Sequence, residues 1–129
     1  MKTISLLLAL FIGVSLSGFA ADAAAKKSGK LNHVVALKFK PTATKEQIQE
    51  VEIAFRDLKK KAKEIHSLEW GTNVSPERHD KGFTHCFILS FKNEKNRDAY
   101  LVHPAHKAFG RLLGPVMEDV FVIDFWTEK

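Results

Sequence analysis

The fold of this chain is decided by the stretch LNHVVALKFK, residues 31–40. Successive side chains of a strand point to opposite faces of a sheet. The odd-numbered positions carry His33, Val35, Leu37 and Phe39, and the even-numbered positions include Val34 and Ala36. Because both sets are mainly apolar, the stretch is predicted to be a strand that is covered on both faces. Pro41 follows and ends it, since proline cannot donate to a strand ladder.

A helix is predicted to follow at residues 44–63. Thr44 and Gln47 form a capping box at its start. Apolar residues then recur at spacings of three and four, as a core-facing helix stripe requires. These residues are Ile48, Val51, Phe55, Leu58 and Ala62.

The second half of the chain carries three more strand patterns and another helical region. The strands are predicted from period-two alternation at residues 65–74, 83–91 and 117–126. The predicted buried face of the first of them consists of Leu68, Trp70, Thr72 and Val74. A helix is predicted at residues 94–102, and Pro104 restarts a helical segment that runs to Leu113.

The predicted order is therefore β-α-β-β-α-β, which is the ferredoxin-like split βαβ arrangement. It gives an α+β fold with an antiparallel four-stranded sheet and helices on one face. The strand at residues 31–40 is nevertheless apolar on both faces, so the face without helices needs a cover. A second copy of the chain, packed sheet against sheet, is the simplest cover, and we predict a symmetric homodimer.

Length and charge limit the class of protein. With 129 residues there is room for one domain, and 45% apolar and 27% charged residues are typical of soluble globular folds. The net charge of +5 comes largely from lysines. Those near the end of the first helix complement the negative end of its dipole. Because the basic residues are not interleaved with exposed aromatic residues, the sequence disfavours a nucleic-acid partner.

The N-terminus has the pattern of a secretory signal peptide. Lys2 is followed by an apolar run at residues 4–14 and then by small residues that permit cleavage after Ala20 or Ala23. The run is too short for a membrane span, although an uncleaved anchor is the alternative. The predicted division is a signal peptide at residues 1–23, a flexible leader at 24–30 and a domain at 31–129. We expect export to the periplasm or the medium, without stable membrane association after cleavage.

Cys86 is the only cysteine, which excludes an intrachain disulfide. Its apolar neighbours in the strand predict a buried structural thiol rather than a nucleophile. The domain must then be stabilised by its core. The sequence indicates no cofactor.

Residues 100–110, YLVHPAHKAFG, gather side chains that suit proton transfer. Tyr100 and His106 are six positions apart and do not share a face of a straight helix, so they meet only if the chain breaks at Pro104. His33 and His85 each begin an otherwise apolar strand face. This symmetry predicts that the two histidines lie at one end of a common cavity.

Three stretches together resemble a known family. They are LNHVVALKFK at residues 31–40, GFTH at residues 82–85 and YLVHPAH at residues 100–106. They resemble the stress-responsive dimeric α/β-barrel (Dabb) family over about residues 31–126, nearly all of the predicted domain. The resemblance implies a ferredoxin-like protomer that dimerises through its sheets into a barrel. Some plant members are polyketide cyclases that close an aromatic ring by aldol condensation, and others are uncharacterised or linked to stress.

The resemblance also implies roles for individual residues. Tyr100 and His106 correspond to the catalytic pair of the cyclases, with His106 as general base and Tyr100 as its orienting group or as a donor to an oxyanion. The resemblance places His33, Phe55 and His85 at cavity positions, and His103 is predicted as a further ligand-binding residue. Phe55 stands where the cyclases have a cavity tyrosine, and it cannot donate a hydrogen bond, so the substrate must differ.

Several interpretations of these residues stay open. The histidines can cap helix ends while Tyr100 packs in the core, or the cavity can bind a small molecule without chemistry. A metal site is disfavoured because the chain has no HxxxH or HxH pair. The preferred interpretation is an exported homodimer that binds a small molecule between sheet and helices. A cyclase-like or lyase-like enzyme is the alternative.

Overall fold

The computed structural model describes residues 29–128. The predicted signal peptide at residues 1–23, and residues 24–28 of the predicted leader, lie outside the described residues. The elements are, in order, β1 Leu31–Phe39, α1 Lys45–Lys61, β2 Ser67–Thr72, β3 His85–Phe91, α2 Glu94–Leu101, α3 Pro104–Leu113 and β4 Met117–Trp126. This order confirms the predicted succession, with the second helical region divided at Pro104. Within residues 29–128, no helix is long and apolar enough to cross a membrane.

The four strands form one antiparallel sheet in the order β2-β3-β1-β4. β1 pairs with β3 on one side and with β4 on the other, so Val35 lies between Phe87 and Val122 in the ladder. β1 and β2 are joined through α1 but separated by β3, which is the split βαβ arrangement. The predicted α+β, ferredoxin-like fold is confirmed.

The core lies between the sheet and the helices. α1 begins with the predicted capping box, in which the Thr44 hydroxyl accepts from the Gln47 backbone N–H and the Gln47 side chain accepts from the Thr44 backbone N–H. The stripe of α1 then packs on the sheet, and Phe55 stacks on Phe87 of β3 with ring centroids 3.8 Å apart. The largest fully buried side chains are Tyr100, Phe55, Phe87, Phe91, Leu37, Leu58, Ile65, Leu89 and Val51.

The other face of the sheet is apolar and exposed. Its larger side chains are Val34, Ile88, Phe121, Ile123 and Phe125. Phe121 is 51% exposed, and Ile123 and Phe125 are each 48% exposed. The prediction that Cys86 is buried is wrong for the protomer, because Cys86 lies on this uncovered face. Partial burial still raises the pKa of the Cys86 thiol.

The second strand is shorter and more exposed than its alternation predicts. β2 spans Ser67–Thr72 rather than residues 65–74, and Val74 is 91% exposed. The physical reason is that β2 is an edge strand, where the helices cover little beyond its first residues. Trp70 is partly covered because its ring stacks on Phe87 and the guanidinium of Arg56 lies 5.4 Å from its ring centroid.

Candidate active site

A cavity of about 550 Å³ lies between the sheet and helices α2 and α3. This volume is typical of small-molecule sites. Its polar lining consists of His33, Arg97, Tyr100, His106 and Asp124. Its apolar lining includes Val35, Phe55, Phe109, Leu113, Met117, Val120 and Val122. The cavity therefore suits a mainly apolar ligand with one polar group.

The break between α2 and α3 brings Tyr100 and His106 together. α2 ends at Leu101, and α3 starts at Pro104, whose fixed φ suits a first helical residue. The two rings have centroids 4.7 Å apart. The expectation that the pair meets through a break at Pro104 is confirmed.

The hydrogen bond of His106 defines the chemistry of its ring. Its Nδ1 lies 3.0 Å from the carbonyl oxygen of Leu101. A carbonyl can only accept, so Nδ1 carries the hydrogen and Nε2 keeps a lone pair. Burial lowers the pKa of His106, and nearby His33 lowers it further, which outweighs the opposing effect of the Leu101 carbonyl. At neutral pH His106 is therefore an uncharged base.

Tyr100 is a buried hydrogen-bond donor. Its side chain is 1% exposed, and burial raises the pKa of its phenol far above the usual value. The hydroxyl thus keeps its proton over the whole physiological range. It makes no hydrogen bond to another residue within 29–128, which leaves it available to a ligand.

Asp124 joins two other cavity residues. Its Oδ1 lies 2.6 Å from Nδ1 of His33, and its Oδ2 accepts from Nη1 of Arg97 at 2.7 Å. Burial alone would raise the pKa of Asp124, but the hydrogen bonds from Arg97 and His33 outweigh it and lower this pKa. Neither Asp124 nor Arg97 was among the residues predicted from the sequence. Asp124 leaves a signal, because it interrupts the apolar face of β4, whereas Arg97 looks like any charged residue on a short polar helix.

His85 lies outside this cavity. In the antiparallel ladder His33 pairs with Leu89 and His85 with Leu37, so the two histidines are four positions apart along the strands, about 13 Å. The prediction that they share one end of a common cavity is therefore wrong. Nε2 of His85 instead lies 2.8 Å from a carboxylate oxygen of Glu52, and Nδ1 lies 2.8 Å from the Thr84 hydroxyl.

The remaining predicted residues divide between the cavity and the helix end. Phe55 lines the cavity, and its ring also contacts Phe109 with centroids 4.8 Å apart. His103 is the N-cap of α3, where its Nδ1 accepts from the backbone N–H of Ala105 at 3.0 Å. Between residues 29 and 128, no three histidine, cysteine, aspartate or glutamate side chains gather as a metal site requires.

A known protein family and known protein sequences are similar to this chain. The family described as "Stress responsive A/B Barrel Domain" matches residues 31–127. The stress-response A/B barrel domain-containing protein HS1 of Arabidopsis thaliana is 30% identical over 97 residues, which are 75% of this chain and 89% of that protein. The olivetolic acid cyclase of Cannabis sativa is 26% identical over 99 residues, which are 77% of this chain and 98% of the cyclase.

Solved structures share the fold. The hydroxynitrile lyase of Passiflora edulis matches with a TM-score of 0.72 at 23% identity, covering 78% of this chain and 95% of the lyase. A dimeric ferredoxin-like protein of unknown function from Thermobifida fusca matches with a TM-score of 0.67 at 20% identity, covering 78% of this chain and 93% of that protein. From the profile match, the related sequences and the shared fold, we conclude that this chain belongs to the stress-responsive A/B barrel domain family.

Proposed function

We propose that the protein binds a small, mainly apolar carbonyl compound and makes or breaks a carbon–carbon bond next to the carbonyl group. One observation carries the proposal. His106 is held as a neutral base beside the free hydroxyl of Tyr100, at the polar end of an otherwise apolar cavity. Ligand binding, the preferred interpretation from the sequence, is the first step of this function. The proposal adds the chemistry that the two side chains are arranged to perform.

In the cleavage direction, Nε2 of His106 takes the hydroxyl proton of a β-hydroxy ketone or a cyanohydrin. The oxygen forms a carbonyl as the adjacent carbon–carbon bond breaks, and the electron pair of that bond leaves with the enolate or with cyanide. Protonated His106 then returns the proton to the leaving fragment. Tyr100 donates to the oxygen on which negative charge develops. Condensation is the same sequence in reverse.

The relatives support this choice of chemistry. One similar protein is named a cyclase and another, which shares the fold, is named a hydroxynitrile lyase. The family resemblance implies a tyrosine in the cyclases at the position of Phe55, so the substrate is expected to differ from theirs. An apolar wall at this position favours a ligand with an alkyl or aryl group there.

Two probes test the proposal with one readout. Mandelonitrile and the aldol adduct of benzaldehyde and acetone both release benzaldehyde, which is followed by its absorbance. We expect the purified protein to release benzaldehyde from at least one probe faster than buffer does. If neither reacts but benzaldehyde binds by calorimetry, the protein is a binding module. If benzaldehyde does not bind either, the cavity does not hold such ligands and the proposal fails.

The pH dependence of benzaldehyde release has a predicted sign. His106 acts as a base only when it is neutral, and its pKa is lowered, so activity should fall only below the usual histidine pKa of about 6.5. Tyr100 acts as a donor only when protonated, and its raised pKa keeps it so. The profile of kcat/KM should therefore be flat from neutral pH up to about 10. A loss of activity between neutral pH and the alkaline end would contradict these assignments.

We also propose that two copies form a dimer through the uncovered face of the sheet. That face exposes Phe121, Ile123 and Phe125, and the comparison includes a protein of this fold that is described as dimeric. Phe121→Glu together with Ile123→Glu should convert a dimer into a folded monomer at micromolar concentration, measured by sedimentation. Val74→Glu, which adds a charge at an exposed site off this face, should leave the dimer intact. A wild-type monomer would refute the proposal.

Export is a further part of the proposal, and it rests on the signal-peptide pattern of residues 1–23. The intact mass of the protein recovered from the periplasm or the medium should correspond to a chain that begins after Ala20 or Ala23. An unprocessed chain in the membrane fraction would favour the anchor.

A further inference from the structure

The carboxylate of Asp124 is held from both sides of the cavity. Oδ1 faces His33 on β1, and Oδ2 accepts from Arg97 on α2. The other end of the Arg97 guanidinium is fixed as well, because Nε donates to Asp98 at 2.8 Å. A carboxylate with a different partner on each oxygen cannot rotate without breaking one of the two bonds. The position of Arg97 therefore determines how the Asp124 carboxylate is oriented toward His33.

The orientation of this carboxylate decides which nitrogen of His33 can act on a ligand. Since an ionised carboxylate only accepts hydrogen bonds, Nδ1 of His33 must carry the hydrogen. The second nitrogen, Nε2, then presents a lone pair in the neutral ring. Because His33 lines the same cavity as His106, this nitrogen is a second group that can accept a proton from a ligand there.

We propose that Arg97 is a positioning residue: by holding Asp124 it fixes His33 in the Nδ1–H tautomer for proton transfer in the cavity. This inference rests on the proposed function and names a further residue that serves the same site. Arg97 acts on His33 through Asp124, to which it donates a hydrogen bond.

Arg97 is needed because of where Asp124 lies. β4 is an edge strand, and the Asp124 side chain is 24% exposed, so water can reach the carboxylate when Arg97 is absent. Among residues 29–128, the side chains that form ion pairs with the Asp124 carboxylate are His33 from β1 and Arg97 from α2. His106 from α3 lines the same cavity as His33. Without Arg97, one oxygen of Asp124 is free, and the carboxylate can turn away from His33.

The test replaces Arg97 with methionine, which keeps the length of the side chain and removes its charge and donors. Nitrogen-15 NMR of the imidazoles reports the tautomer of His33 directly, whether or not a substrate is known. We expect one Nδ1–H tautomer in the wild type and a mixture in Arg97→Met. Arg97→Lys, which can still donate to Asp124, should restore most of the Nδ1–H form.

Activity gives a second readout. With the benzaldehyde-releasing probes, Arg97→Met should lower kcat about 10- to 100-fold, as the loss of a partner that orients a histidine commonly does, and leave KM within about twofold. Lys95→Met is the matched control, since it removes a positive charge from the solvent-exposed side of α2. It should change neither the tautomer nor kcat.

The outcomes separate this inference from the proposed function. An unchanged His33 tautomer in Arg97→Met overturns the role of Arg97, even if the protein is an active lyase. A changed tautomer in a protein that acts on neither probe supports the positioning role and counts against the proposed reaction. If the methionine variant does not fold, Arg97→Leu, which also lacks a charge and a donor, supplies the same NMR comparison.

Discussion

His106→Ala is expected to lower kcat for benzaldehyde release by a factor of about 10²–10⁴, the usual contribution of a positioned general base. The effect should be large because the hydrogen bonding of the ring leaves one nitrogen available to accept a proton. Its Nδ1 is bonded to the Leu101 carbonyl, so Nε2 is the nitrogen that can take a proton, and its lowered pKa keeps it uncharged at neutral pH. KM should change less, since apolar residues supply most of the cavity wall. Progress curves for both probes provide the measurement.

A matched control comes from His79, an exposed histidine in the loop before β3. His79→Ala should leave kcat unchanged, which excludes a general effect of losing an imidazole. Added imidazole should partly restore His106→Ala, because the vacated space adjoins an open cavity. A variant with wild-type kcat would show that His106 is not the base, and the lyase proposal would lose its main support.

Phe55→Ala is expected to lower the free energy of unfolding by about 3–5 kcal/mol, the range for deleting a buried phenylalanine. Phe55 is 2% exposed, stacks on Phe87 and meets Phe109 edge to face. Removing the ring therefore deletes the packing contacts of α1 with β3 and α3. It also enlarges a cavity that is already present. Because a domain of this size is stabilised by only about 5–15 kcal/mol, the variant should unfold at much lower urea concentration.

Chemical denaturation followed by tryptophan fluorescence measures this change. Val74→Ala, at a residue that is 91% exposed, should alter the unfolding free energy by no more than about 0.5 kcal/mol. Phe55→Leu should fall between the two, since it retains part of the buried volume. An unfolding free energy within error of the wild type for Phe55→Ala would mean that the ring is not part of the core packing.

The sequence was sufficient for those features that depend on neighbouring residues. The capping box of Thr44 and Gln47 fixes the start of α1, and Pro104 restarts the helix in a way that brings His106 back to Tyr100. The two apolar faces of β1 likewise reveal an inner strand. Each of these features is determined by steric or hydrogen-bonding rules that act over a few residues.

Features that depend on pairing partners were harder to predict. His33 and His85 look equivalent when each strand is read alone, but antiparallel neighbours place their first residues at opposite ends of the sheet. Val74 continues the apolar alternation of the sequence and was predicted to be buried. β2 is, however, an edge strand that ends at Thr72, before Val74. Arg97 carries no sequence signal, because its role is defined by Asp124, which lies 27 positions further along the chain.

The edge position of β4 has a consequence beyond the cavity. One side of this strand has no neighbour in the described sheet, and residues 120–125, VFVIDF, are rich in residues with high β-propensity. Such an edge is a template on which other chains can add strands, and it is a starting point for aggregation. Asp124 is the one charged residue in this segment. The carboxylate that orients His33 is therefore also the charge that opposes aggregation at this edge. A neutral variant at this position would remove the charge and the partner of His33 together.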